Sequence, residues 1–342
     1  MKEGWARQQS ARFLREGTIG PHLRVIERLY SFTGLYPWQW TPADGEAFIA
    51  DLRGGPTPIQ MSTARGYEVM ITLFTEYLLD GRYGWVELCA ERFGEVPQAV
   101  FHEGNSVLHT VEYEGDPRRR PLTYDEIQAL FDAADARPGK IRGQGRKGAL
   151  TALRDAACLK TIYAFGTRRT ESSRVDLVDL RRNRKAPVYG GFGCLMVRFG
   201  KSSKGAPPKR RTVLTVPEMD WVVDVLGDYL SDVRPLLSPG KHPALWVSER
   251  AGRLAPRSIN EAFVAAREDA GLDQALDLHC LRHSYITHLT EFGYPARFMQ
   301  EQVGHSHAAT TSIYMGVSNE YRNALLEASM RNRLGQDWDV VS

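Results

Sequence analysis

Hydrophobic positions in the first hundred residues recur at helical spacing. HLRVIERLYSFTG places Leu23, Ile26, Leu29 and Tyr30 on one face, with Gly34 positioned to stop the helix. In TPADGEAFIADL, Thr41 is a candidate N-cap with Pro42 at the first helical position. STARGYEVMITLFTEYLLDG predicts a helix from Ser62, with Val69, Met70, Leu73, Phe74, Tyr77 and Leu78 as its apolar positions. A shorter helix is predicted over GWVELCAERFG. Between about residues 101 and 121 the periodicity breaks and ends in EGDPRRRP, whose prolines and charge run read as a linker. Beyond it, LTYDEIQALFDAAD opens with a Thr123–Glu126 capping box, and a long helix is predicted over 149–165. CLMVRFG and RTVLTVP read as two strands joined by a basic hairpin. LWVSERAGRLAPRSINEAF reads as a short strand, a turn and a helix capped by Ser258 with Glu261, and the remainder reads as helical. The pattern thus predicts a mainly α domain over 1–110, a linker at 111–121, and a helix-rich α+β domain with a small antiparallel sheet over 122–342.

Composition changes this picture little; charge distribution changes it more. The 342 residues are 42% hydrophobic and 25% charged, which suits a globular chain and excludes a disordered or collagen-like one. The formal charge is +3. Residues 1–116 carry 10 basic and 16 acidic side chains (net −6), 117–214 carry 23 and 8 (net +15), and 215–342 carry 11 and 17 (net −6). A strongly basic middle is the footprint of a polyanion binder. The acidic first block means that any polyanion-facing surface there must be local. Cys89, Cys158, Cys194 and Cys280 form no CxxC pair, and the N-terminal stretch has no apolar signal core. No run approaches 18 apolar residues. These features predict a cytoplasmic protein with reduced thiols and no membrane partner.

Four separated segments carry chemistry: AFGTRRTESSRVDLVDL with Arg168 and Glu171; FGKSSKGAPPKRRTV with Lys201, Lys204, Lys209, Arg210 and Arg211; LHCLRHSYITHL with His279 and Arg282 three apart on a helix; and VGHSHAATTSIYMGVS with His305 and Tyr314. Singly, each has an ordinary explanation: a surface ion pair, a solvated turn, a polar helix face, a core tyrosine. His279, His283 and His305 raise the question of zinc, but no HExxH glutamate is present and no cysteine supplies ligand spacing. No metal and no cofactor are therefore expected.

Jointly, the order and spacing resemble the tyrosine recombinase (phage integrase) family. Its first box matches Gly166, Arg168, Thr170, Glu171, Asp179 and Leu180; its hairpin lysine matches Lys201, with Lys204 as a rival. Its H-x-L-R-H box matches His279, Leu281, Arg282 and His283, and its last box matches Gly304, His305, Ser306, Ile313 and Tyr314. Thr167 and Ser172 depart from the family pattern, which places Leu at both positions, so they put local packing in question. The resemblance covers residues 120–335 and extends weakly to the N-terminal domain, which is similar to the family's core-binding domain; the C-terminal domain resembles its catalytic domain.

The resemblance implies a site-specific DNA recombinase that cleaves and rejoins strands through a 3′-phosphotyrosyl intermediate. Arg168, Lys201, His279, Arg282, His305 and Tyr314 would be the catalytic residues, with Glu171 orienting them. The arginine and lysine runs Arg118, Arg119, Arg120, Arg181, Arg182, Lys204, Lys209, Arg210 and Arg211 would contact DNA phosphates. The implied partners are double-stranded DNA carrying a recombination site and further copies of the chain, a tetramer on two duplexes, with accessory DNA-bending proteins left open. The protein would be associated with the nucleoid when bound to DNA. The amphipathic SNEYRNALLEASMRNRL after Tyr314 would dock on a neighbouring protomer. Competing readings are a telomere resolvase or type IB topoisomerase-like strand transferase, a non-catalytic DNA-binding regulator, and a metal-dependent nuclease. The filled catalytic positions argue against the regulator, and the missing carboxylate cluster against the nuclease.

Overall fold

The computed structural model describes residues 1–107, 120–200 and 210–304. They fall into two compact units, the first within 1–112 and the second over the remainder apart from a few hairpin residues.

The first unit is helical: α1 (Lys2–Ala11), α2 (Glu16–Thr33), α3 (Pro42–Gly54), α4 (Met61–Leu79) and α5 (Trp85–Phe93). Its core joins Trp5, Ile26, Leu29, Trp40, Phe48, Ile71, Phe74, Leu78 and Phe101. Thr41 caps α3 in a capping box with Asp44, and Gly34 ends α2 in the left-handed conformation at φ 66°. The predicted stripes are narrower than expected. Tyr30, Val69 and Leu73 are exposed, because the inward face of α4 runs through Ala64, Glu68, Ile71, Phe74, Thr75 and Leu78 and leaves Val69 and Leu73 on its flank. Glu68 on that face is 4% exposed and accepts a hydrogen bond from the Val107 backbone N–H at 3.0 Å, so a buried carboxylate fastens the chain where it leaves the unit.

The second unit comprises α6 (Tyr124–Gly143), α7 (Ala149–Phe165), α8 (Arg169–Ser173), β1 (Leu180–Arg181), β2 (Cys194–Val197), β3 (Arg211–Leu214), α9 (Val222–Asp228), α10 (Pro256–Asp269), α11 (His279–Glu291) and α12 (Ala296–Val303). The Thr123–Glu126 capping box forms as predicted. The three strands are antiparallel in the order β1-β2-β3, pairing Leu180 with Leu195 and Val197 with Arg211. The two predicted strands are β2 and β3; β1 is two residues long and carries no alternation to read. The expected Ser258–Glu261 cap does not form. Pro256 takes the first position of α10 behind an extended Ala255, which leaves Ser258 inside the first turn, and Glu261 pairs with Arg257 at 2.7 Å.

Helix α11 sits at the centre, with Cys280 to Leu289 buried without a break. A helix buried on every side is normally apolar, yet this run holds Arg282, His283, Ser284, Thr287 and His288. Burying such groups is tolerable only when they are paired. The Ser284 hydroxyl accepts from the Leu122 N–H at 2.8 Å, tying the start of the unit to α11. His288 Nδ1 lies 2.6 Å from the Tyr163 hydroxyl and its ring stacks on Tyr124, centroids 3.9 Å apart. Burial holds the His288 imidazole down at about 4, so it is neutral at physiological pH.

Helix α7 ends at Gly166, φ 54°, and a Cβ there would lie 2.3 Å from Cδ1 of the buried Tyr285 ring. Gly166→Ala combines left-handed strain with overpacking and is expected to lower stability by roughly 2–4 kcal/mol. Urea unfolding of the full chain measures this, and a midpoint equal to that of the wild type would show that Tyr285 moves aside freely.

Candidate active site

The first motif segment is built around a turn. Gly166 ends α7, Arg168 is extended, and α8 starts at Arg169. This brings Glu171 back under Arg168. The Glu171 carboxylate is 3% exposed and accepts from the Arg168 backbone N–H at 2.9 Å and from Arg168 Nη1 at 2.8 Å. It also accepts from Arg211 Nη1 at 3.0 Å and Nη2 at 2.7 Å. Burial alone would raise its pKa; the hydrogen bonds and charge of Arg211, then those of Arg168, outweigh that and hold the carboxyl down at about 2. Glu171 therefore stays ionised and fixes both guanidinium groups.

Thr167 and Ser172, the two departures from the family pattern, pack against each other. Their hydroxyls are 2.7 Å apart and both residues are buried. Ser172 Oγ donates to the Arg168 carbonyl at 3.0 Å, so Thr167 supplies the proton between the two hydroxyls. Paired polar groups thus fill the space that two leucines would occupy, and the turn retains its packing.

Arg211 was expected among the DNA contacts on the basic hairpin. Instead its guanidinium is consumed by Glu171, and its Nε donates to the Gln302 carbonyl at 2.8 Å. This is a correction to the reading from sequence: strand pairing turns the first residue of β3 inward, which composition cannot show. Gly304, at φ 66°, passes so close to Arg211 that a Cβ there would lie 2.8 Å from its Cδ.

Arg282 is 2% exposed. Its Nη1 donates to the Gly166 carbonyl at 2.5 Å and its Nη2 to the Val303 carbonyl at 2.6 Å. It therefore straps the Arg168 turn to the end of α12, immediately ahead of Gly304 and His305. His279, one turn earlier on α11, faces a cleft of about 320 Å³ lined by Thr167, Arg168, Arg169, Thr170, Asn260, Asp277, Leu278 and His279. Asp277 Oδ1 accepts from the His279 N–H at 2.8 Å and fixes the start of that helix. The cleft brings Arg168 and His279 together, while Arg282 is absent from its lining.

Gln302 escaped notice in the sequence. It is 2% exposed; its Oε1 accepts from the Leu214 N–H at 2.8 Å, and its Nε2 donates to the Leu214 carbonyl at 3.0 Å and to the Tyr285 hydroxyl at 3.2 Å. The amide side chain completes the free edge of β3 as a strand would, and locks α12 to it. In the sequence Gln302 follows two other polar residues, Gln300 and Glu301, and nothing marks it out from them. Asp176 also went unremarked in the sequence, beside Asp179 of the first box: Arg198, just past β2, bonds both, and Arg253 joins Asp176 at 2.6 Å, pinning the base of the hairpin.

Of the other expected phosphate contacts, Arg181, Arg182 and Arg210 are exposed. Arg120 forms a bidentate pair with Glu126, 2.6 Å at each nitrogen. Arg118, Arg119, Lys201, Lys204, Lys209, His305, Tyr314 and the segment after Tyr314 lie outside the described residues. Among the described residues, no cluster of three or more His, Cys, Asp or Glu could hold a metal ion, and no helix is long and apolar enough to cross a membrane.

The depressed Glu171 pKa stabilises the fold above the ordinary carboxylate value of 4.5, and that contribution is lost as pH falls toward about 2. Glu171→Gln should therefore be less stable than wild type by roughly 3 kcal/mol at neutral pH, with the gap narrowing between pH 4.5 and 2. Denaturant titrations across that range measure the gap; a difference independent of pH would show that the carboxylate is not held by the two arginines.

The phage integrase family model matches residues 120–320. A tyrosine recombinase XerC 2 of Ralstonia nicotianae is 29% identical over 245 residues, covering 70% of this chain and 62% of that protein. A tyrosine recombinase XerD of Mycobacterium leprae is 32% identical over 204 residues, covering 58% of this chain and 57% of that protein. The chain thus spans less than two thirds of the length of these relatives. Among solved structures, the XerH site-specific recombinase bound to palindromic difH substrate, a post-cleavage complex, superposes with a TM-score of 0.64 at 18% identity, covering 95% of this chain and 82% of that one. A lambda integrase tetramer bound to a Holliday junction gives 0.58 at 15% identity, covering 99% of this chain and 78% of that one. At such identities the likeness is one of fold, and the fold is the helix-rich one with a small antiparallel sheet described above. The family match takes in more than half of the chain, including the turn that carries Arg168 and the helix that carries His279 and Arg282, and the chain belongs to the phage integrase family.

Proposed function

We propose that this chain is a site-specific DNA recombinase that breaks and rejoins DNA strands through a covalent phosphotyrosine, with no metal and no external energy source. The observation that carries this reading is the Glu171-held Arg168 facing His279 across one cleft, with Arg282 strapping the backbone on either side. In this reading residues 1–110 clamp DNA, 111–121 link, and 122–342 hold the chemistry. Double-stranded DNA and further copies of the chain are its partners, just as XerH is bound to difH substrate and lambda integrase forms a tetramer on a Holliday junction. Bound to DNA, the protein would lie on the nucleoid.

The Tyr314 oxygen attacks phosphorus, the P–O5′ bond breaks, and a 3′-phosphotyrosyl link and a 5′-hydroxyl result; attack by another 5′-hydroxyl reverses the step on a new strand. A free tyrosine, with pKa near 10, is only about one part in a thousand ionised at neutral pH, so the site must assist. His279 takes the tyrosine proton, and Lys201 gives one to the departing 5′-oxygen. Arg168 meets the charge that develops on the non-bridging oxygens, for which loss of one preorganised donor costs about 2.7–4 kcal/mol elsewhere, while Arg282 holds the backbone on either side of the site. His305 adds a hydrogen bond to the phosphate. Glu171 acts through Arg168, holding its fork in one orientation so that no reorganisation is needed when charge develops.

Tyr314→Phe should bind DNA with wild-type affinity and form no covalent adduct on denaturing gels; an adduct that persists would remove Tyr314 as the nucleophile. The proton donor is tested with a 5′-bridging sulfur in place of the leaving oxygen, because a thiolate departs unprotonated. Cleavage of that substrate should be restored in Lys201→Ala, and rescue confined to Lys204→Ala would transfer the role to Lys204.

A further inference from the structure

We infer that Arg169 and Asn260 form a second phosphate subsite beside Arg168 and His279, holding a DNA backbone phosphate next to the scissile one. The inference rests on the strand-transfer reading above. Both residues line the same cleft as Arg168 and His279, Arg169 from the first position of α8 and Asn260 from α10 across from it.

Charge is the first reason. The Arg168 guanidinium is met by Glu171 directly behind it, and Asp277 adds a negative charge to the cleft wall. A phosphodiester would find little net attraction there without Arg169. Arg169 is exposed and makes no ion pair or hydrogen bond with any of the described residues, in contrast to Arg168, Arg211, Arg198 and Arg253, each of which meets a carboxylate.

The second reason is the Asn260 amide. It is half-buried on the cleft wall and has no hydrogen-bond partner among the described residues. A partly buried amide with two N–H donors is suited to an oxygen acceptor from a ligand. Arg168 is tied back to Glu171 while Arg169 projects from the first residue of α8, so the two guanidinium groups serve different phosphates. Successive phosphates of one strand lie about 3.4 Å apart along the axis, so a cleft that holds the scissile phosphate also meets its neighbour.

The test uses the full chain and a short DNA duplex of arbitrary sequence, because phosphate contacts are sequence-independent. Binding is followed by fluorescence anisotropy across a range of KCl concentrations, with thermal unfolding to confirm that each variant is folded. Arg169→Gln should reduce the slope of log affinity against log salt by about one. Asn260→Ala should weaken binding about tenfold at every salt concentration and leave the slope unchanged. Arg257→Gln, on the same helix but with its charge met by Glu261, should match the wild type. Wild-type slopes and affinities in both Arg169→Gln and Asn260→Ala would overturn the subsite. So would a single-turnover cleavage rate at saturating DNA that falls as far in Arg169→Gln as in Arg168→Gln, since that would put Arg169 on the scissile phosphate. The salt slopes read the subsite whether or not the wild-type chain forms a covalent adduct, so the two claims fail separately.

Discussion

Glu171 is a carboxylate with almost no access to water, and four hydrogen bonds from two arginines compensate for its burial. Desolvation of this kind is tolerated only when the partners stay in place, so the ion pair dictates the position of everything attached to it. Arg168 is fixed at the start of α8, and Arg211 is fixed at the start of β3. Through Arg211 the constraint passes to the Gln302 carbonyl and the end of α12. A single buried charge thereby sets the relative placement of a turn, a strand and a helix that are far apart in the chain.

Arg282 completes the arrangement from the opposite side. Its guanidinium lies within the core and bonds two backbone carbonyls, one beside the Arg168 turn and one beside Gly304. Because the fork of an arginine is planar and rigid, two carbonyls held by one guanidinium are also held relative to each other. Glycine is needed at both neighbouring positions: Gly166 lies against Tyr285, and Gly304 lies against Arg211. The segments entering and leaving the site are thus packed too closely for a side chain, and that closeness is what allows the arginines to reach them.

Preorganisation follows from this construction. A site that meets charge in a transition state gains most when its donors need not move. Here the supporting groups, Glu171, Ser172, Thr167 and Gln302, are buried and hydrogen-bonded, whereas Arg169 and Asn260 stand at the cleft wall with no such ties to any of the described residues. Rigid support behind and adaptable donors in front suit the large, flexible ligand of the proposed reaction, whose register must settle before chemistry begins.

Local signals were enough for the caps at Thr41 and Thr123, the stop at Gly34, the helix over 149–165 and the two longer strands, because each depends on neighbours within a few residues. The motif boxes were legible for the same reason: Arg168 and Glu171 lie three apart, as do His279 and Arg282. The sequence could not reveal that Arg211 turns inward to Glu171, 40 residues away, or that Gln302 closes the edge of β3, 88 residues from Leu214. Nor could it separate Tyr30, Val69 and Leu73 from the core stripes they flank. Periodicity reports which side of an element is apolar, while the partner that covers that side is chosen by packing. Membership of the family was therefore written in short spacings, and the assembly of arginines around one buried carboxylate was decided only when distant segments met.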